Sequence, residues 1–210
     1  EVMTLELRKS FGGLYYRRFL TGHSGTGKST ELTRLSRNLE DRFEFLRLSA
    51  QRELSPFSAQ PFDILDVMAA LLVERVQELG LEIEGKLLER VHDWFAEGVE
   101  TETEIRSGEA GAEVEAGFSL AALVGLAAKV RGRTRFSSGR QKEVVQRRLQ
   151  RLPELTGLSN ELFMSCNRQL KAKSDKEWVF LIEDLDKKSV PEEILETIFV
   201  SYSNIWTDLQ

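Results

Sequence analysis

At 210 residues, with 41% apolar and 30% charged side chains, the chain has the size and composition of one ordered domain with an insertion, not of a disordered polypeptide. A net charge of −5 argues against coating nucleic acid through an overall field, and a single cysteine, Cys166, excludes an internal disulfide. The longest apolar run, Phe118–Ala128, falls far short of the ~20 residues that span a bilayer, and no secretory leader pattern opens the chain. A reducing, cytoplasmic setting with no membrane partner is the expectation.

Residues 1–14 mix alternation with helix formers and predict no single element. Tyr15–Thr21 then reads as a strand. A helix follows from Gly27, with Leu32, Leu35 and Leu39 at helical spacing. Phe43–Ala50 is the second strand, with Phe43 and Phe45 on one face and Leu46 and Leu48 on the other. Apolar residues on both faces predict a strand covered on both sides. Pro61 and Asp63 open a helix whose stripe is Leu65, Met68, Leu72, Val76 and Leu79, and Gly80 ends it. A further helix carries Leu87, Val91, Trp94 and Phe95, with Trp94 as a core anchor. Residues 97–115 are acidic, and residues 129–151 are basic. The basic stretch reads first as a solvated helix face paired with the acidic one. Phe118–Ala128 reads as buried core or interface. Helical patterning resumes near Gln141 and is interrupted at Pro153, after which Leu158, Leu162, Cys166 and Leu170 recur every fourth residue. Cys166 therefore reads as a buried small hydrophobe. Glu177–Lys188 is the third strand, apolar and then acidic. Pro191 opens a last helix with Ile194, Leu195, Ile198 and Phe199 inward.

Strands alternating with helices predict an α/β fold: a parallel sheet between helix layers. About 125 residues separate the second and third strands, whereas a crossover needs only about a dozen. The excess predicts a helical insertion. The expected divisions are 1–50 for the first part of the core, 51–174 for the insertion, and 175–210 for the third strand and the helix after it.

The chemistry concentrates at two places. Gly22, Gly27, Lys28 and Ser29 fit G-x-x-x-x-G-K-[ST], between a strand and a helix. Glycines allow backbone conformations that a Cβ forbids, so successive N–H groups can turn around an anion. The helix start adds its dipole and its unbonded N–H groups. Gly22, Ser24, Gly25, Thr26, Gly27, Lys28, Ser29 and Thr30 are the candidate phosphate-binding residues. Lys28 would reach the β- and γ-phosphates, and the Ser29 hydroxyl would ligate Mg²⁺. His23 sits at a variable position of the pattern and reads as incidental. The second place is Val179–Asp184, an apolar strand ending in acids. Its C-terminal end should lie on the sheet edge that carries the loop. On this register Glu183 is the metal acid, Asp184 the catalytic base (with a place in the metal site too), and Asp186 a supporting carboxylate.

At these two motifs, "TGHSGTGKSTEL" and "VFLIEDLDK", the chain resembles P-loop NTPases of the AAA+ and STAND type, including KAP-like bacterial ATPases, some of which serve in antiviral defence. The resemblance implies a three-layer α/β/α P-loop NTPase core with the phosphate loop on a central strand. It also implies ATP and Mg²⁺ as ligands, ATP-dependent switching, and a homo-oligomer or fused effector and sensor domains. In that family the metal acid is usually Asp. Glu183 stands in its place, and displacements near 1 Å can cost ~10²-fold in rate, so slow hydrolysis is the expectation. The family also leads one to expect a further strand with a polar sensor beyond Gln210, so the core here should be incomplete. Arg131, Arg133, Arg135 and Arg140 are candidates for an arginine finger by charge alone. The first functional reading is an ATP-hydrolysing switch. Two alternatives stand beside it: a nucleotide-gated scaffold with little hydrolysis, and a nucleic-acid-associated ATPase using the Arg131–Arg148 region. No guanine-reading N/T-K-x-D motif is present, which disfavours a GTPase.

Overall fold

The protein, seen in a computed structural model, is described over residues 20, 23, 25–55, 59–107, 119–136 and 142–184. Its elements are α1 (Lys28–Asn38), β1 (Phe43–Ser49), α2 (Ala50–Glu53), α3 (Pro61–Glu78), α4 (Gly85–Ser107), α5 (Leu120–Phe136), α6 (Lys142–Gln150), α7 (Leu152–Ser174) and β2 (Glu177–Glu183). The chain is mostly helical, and β1 and β2 form a parallel pair in register from Phe43 opposite Glu177 to Ser49 opposite Glu183. The expected three-layer core is therefore seen only in part, as two parallel strands with helices against them. The strand predicted at Tyr15–Thr21 and the helix predicted from Pro191 lie outside the described residues, as do Gly22, Ser24, Arg140 and Asp186.

The two faces of the strand pair go to different neighbours, as the alternation in "FEFLRLS" predicts. Phe43 and Phe45, with Val179 of β2, pack against Leu32, Leu35 and Leu39 at α1. On the other face Leu46, Trp178 and Phe180 enter the main helical core, and Leu48 packs with Ile64, Val67 and Met68 of α3. Helix α3 is buried along its first ten residues because α5, α7 and β1 all pack on it. A helix covered all round has no need of a polar face, and the run Ile64–Ala70 admits only one charged residue, Asp66.

Local chemistry sets the helix boundaries. At α3, Pro61 takes the first helical position, and the Asp63 carboxylate accepts the Gln60 N–H at 2.7 Å. Its end is a Schellman turn. Gly80 is left-handed (φ +59°), Leu81 N–H bonds the Val76 carbonyl at 2.9 Å, and Gly80 N–H bonds that of Gln77 at 3.0 Å. The Lys173 ammonium, from the end of α7, donates to the Leu79 carbonyl at 2.6 Å, a cation placed at a helix C-terminus. Helix α4 runs on to Ser107, into the segment set apart in sequence by its acidity. Pro153, the second residue of α7, separates that helix from α6. Leu158, Leu162, Cys166 and Leu170 are all buried in the main core, and burial pushes the Cys166 thiol up to about 12. That thiol stays protonated and acts as packing. Among the described residues, no helix is long and apolar enough to cross a membrane.

The basic stretch is a solvated face only in part: Lys129, Arg135 and Arg147 are exposed and Arg151 pairs with Glu97 of the acidic stretch, while Arg131, Arg133 and Arg148 turn inward. Arg131 bonds Glu53 of α2 through Nε and Nη2, at 3.2 and 2.7 Å, and Glu74 of α3 through Nη1 at 2.5 Å. Arg148 grips both oxygens of Asp66 at 2.8 and 3.0 Å, with its guanidinium 4.5 Å over the Phe62 ring. Arg133 also bonds Asp66 and lies 3.8 Å from Asp63, while Trp94 Nε1 donates to Asp66 at 2.9 Å. Arg151 pairs with Glu97 and Glu154. The reason is geometric. The carboxylates of α2 and α3 sit on surfaces that α5 and α6 cover, and a carboxylate taken out of water needs a cation beside it. Arg131, Arg133 and Arg148, weighed in sequence as finger or nucleic-acid residues, are turned inward onto carboxylates of their own chain.

Candidate nucleotide site

Helix α1 begins directly after two left-handed glycines, Gly25 (φ +83°) and Gly27 (φ +85°). Among the described residues, no atom lies within 4 Å of a Cβ built at either position. These backbone angles, which L-residues rarely adopt, are what the glycine pattern predicts. The turn is drawn together on one acceptor. The His23 carbonyl accepts the Thr26 hydroxyl at 2.8 Å, the Thr26 N–H at 3.3 Å and the Lys28 ammonium at 3.1 Å. Lys28 is half-buried, and Ser29 and Thr30 are exposed at the first turn. His23 therefore contributes through its backbone, a role invisible in its side-chain type.

The acidic strand end faces the same way. Odd-numbered residues of β1 point to the α1 side, and the register puts Ser49 beside Glu183. The Ser49 hydroxyl donates to Asp184 Oδ2 at 2.7 Å. Asp184 has φ +66°, a left-handed conformation at which a β-carbon is costly, by ~1–2 kcal/mol, although Asp tolerates it better than most. Strained backbone of this kind gathers at working sites, where surrounding contacts hold it.

Arg47 joins the two halves. Its Nη1 lies 3.0 Å from the Thr33 hydroxyl of α1 and 3.5 Å from Glu183 Oε1 of β2. Its Nη2 lies 2.6 Å from Ser36 Oγ and 3.5 Å from the Leu32 carbonyl. The Thr33 hydroxyl also donates to the Ser29 carbonyl at 2.8 Å, one turn nearer the glycines. A single guanidinium thus spans the helix behind the loop and the carboxylate at the strand tip. No family model matches the chain, and no curated protein or solved structure does either. The reading of the site therefore rests on these residues and their arrangement.

Of the residues singled out in sequence, Gly25, Thr26, Gly27, Lys28, Ser29 and Thr30 form the described turn and helix start, and Glu183 and Asp184 the strand tip. Among the described residues, no group of three or more His, Cys, Asp or Glu side chains is arranged to hold a metal. The Ser29 hydroxyl and the Glu183 and Asp184 carboxylates are oxygen donors of the kind Mg²⁺ takes, an ion that keeps several waters and draws further oxygens from a bound phosphate. Sequence reasoning missed Arg47, Ser49 and Thr33. A signal for the first two was present: on the face set by Phe43 and Phe45, positions 47 and 49 turn polar as the strand nears its C-terminal edge.

Proposed function

We propose that the chain binds ATP with Mg²⁺ and hydrolyses it, as the nucleotide-switched part of a larger or oligomeric protein. The observation that supports this reading is the packing of α1, the helix that starts at the glycine turn and Lys28, on the strand face whose tip carries Glu183, with Arg47 in contact with both. Backbone N–H groups around Gly25 and Gly27, the α1 dipole and the Lys28 ammonium would cradle the β- and γ-phosphates. The Ser29 hydroxyl and the Glu183 carboxylate would hold Mg²⁺, which when bound offsets charge on the transferring phosphoryl group. Asp184, oriented by the Ser49 hydroxyl, would take the proton from the attacking water. The carboxylate of Glu183 stands one methylene further from its backbone than an Asp would, which supports slow turnover.

Two variants test the reading, assayed by equilibrium ATP binding and by single-turnover hydrolysis. Lys28→Ala is expected to abolish nucleotide binding. Asp184→Asn is expected to bind within a few-fold of the parent and to lose turnover by ~10²–10⁴-fold. Parent-like binding and hydrolysis in both variants would refute the proposal. A parent that binds ATP yet shows no single turnover would shift the reading to a nucleotide-gated scaffold.

A further inference from the structure

The position of Arg47 raises a question that packing does not answer. Its strand face otherwise carries Phe43 and Phe45 against the leucines of α1, whereas position 47 lies exposed beside the Thr33 and Ser36 hydroxyls. A guanidinium there meets three groups of α1 and one carboxylate of β2. Its contacts are unequal. Ser36 Oγ at 2.6 Å and Thr33 Oγ1 at 3.0 Å anchor it to α1, while Glu183 is reached at 3.5 Å by a nitrogen that Thr33 already occupies. The Glu183 side chain is mostly shielded from solvent, at 16% exposure, with Asp184 next to it in sequence. Shielded carboxylates side by side repel each other and would repel an incoming triphosphate, unless a cation stands with them.

We infer that Arg47 is a positioning residue that serves as the counter-ion of Glu183 while divalent metal is absent, and that Mg²⁺ takes the carboxylate from it. This inference rests on the nucleotide reading and adds to it a division of labour. The guanidinium stays with α1 through Ser36 and Thr33, so the carboxylate can turn to the metal without any movement of the helix. In the metal-free site Arg47 cancels one negative charge close to where the phosphates lie. In the metal-loaded site its contribution to nucleotide affinity is small, because Mg²⁺ supplies the charge instead.

The test is a pair of titrations with a fluorescent ATP analogue, one with excess Mg²⁺ and one with EDTA, on the parent and on Arg47→Met, Arg47→Gln and Arg47→Lys. Gln keeps a hydrogen-bonding head and loses the charge, so it serves if Met does not fold; a thermal melt checks each protein. In EDTA the neutral variants are expected to bind about three- to fivefold more weakly than the parent, the upper range of a partly exposed charge contact. In Mg²⁺ they should bind within twofold of it, and Lys should recover most of the metal-free affinity. Equal weakening in both conditions would mark a merely structural role and overturn the inference, as would no change in either. A parent that binds the analogue in neither condition would bring down the nucleotide reading and this inference with it. A parent that binds while the metal dependence stays fixed across the variants would bring down this inference alone.

Discussion

The glycine turn with its strand tip and the helical body between the strands handle charge in opposite ways. In the body, Asp66 is buried at 1% exposure and is matched by Arg133, Arg148 and the Trp94 indole. Asp63, Glu53 and Glu74 are matched in turn by Arg133 and Arg131. There each charge has a fixed partner and joins one helix to another. At the turn, the Thr26 hydroxyl and the half-buried Lys28 ammonium bond the His23 backbone carbonyl, and Ser29 and Thr30 are exposed. The same residue types thus join helix to helix in one region and stand on local backbone at the surface in the other. Burial and partner geometry tell the two uses apart, where composition does not.

This contrast can be broken experimentally, most forcefully at its buried end. Asp66→Ala leaves two guanidiniums buried without their main carboxylate and is expected to cost about 3–5 kcal/mol of stability in denaturant melts. A loss below 1 kcal/mol would mean that the charge cluster is dispensable and the contrast false. Gly80→Ala probes the body away from its buried carboxylates, with the Lys173 ammonium in ordinary contact at 3.6 Å from the new Cβ. The left-handed turn would have to carry a β-carbon, for an expected loss of about 1 kcal/mol in the same melts. The smallest effect belongs to the turn. Lys28→Ala, expected to remove nucleotide binding, should leave unfolding free energy within about 0.5 kcal/mol of the parent, because its bond to the His23 carbonyl is exposed to solvent. A large destabilisation there would make Lys28 a structural residue.

Much of the body was legible in the sequence, because its signals are local. The spacing of Leu158, Leu162, Cys166 and Leu170 placed α7, Pro61 and Gly80 fixed the ends of α3, and alternation at Phe43–Leu48 gave both faces of β1. The glycine turn was legible for the same reason, since a left-handed backbone position restricts residue type directly. The partners of the arginines were not. Arg148 and Asp66 lie 82 residues apart, and no periodicity links them. A basic run looks alike whether solvent or carboxylates face it. Arg47 was missed for a related reason: its bridge depends on β1 and β2 being neighbours in register, which only the fold reveals.

The pairing of β1 with β2 has a consequence for the order of assembly. Residues 50–176 separate β1 from β2, and the bond between Ser49 and Asp184 closes over 135 positions, a distant contact in sequence among the described residues. Contacts closed over long stretches form late, after local helical ones have repaid part of the lost chain freedom. During synthesis β1 therefore emerges well before β2 exists. On this ordering the local helical contacts form first, and the tip that bears Ser49 and Asp184 is completed when β2 docks.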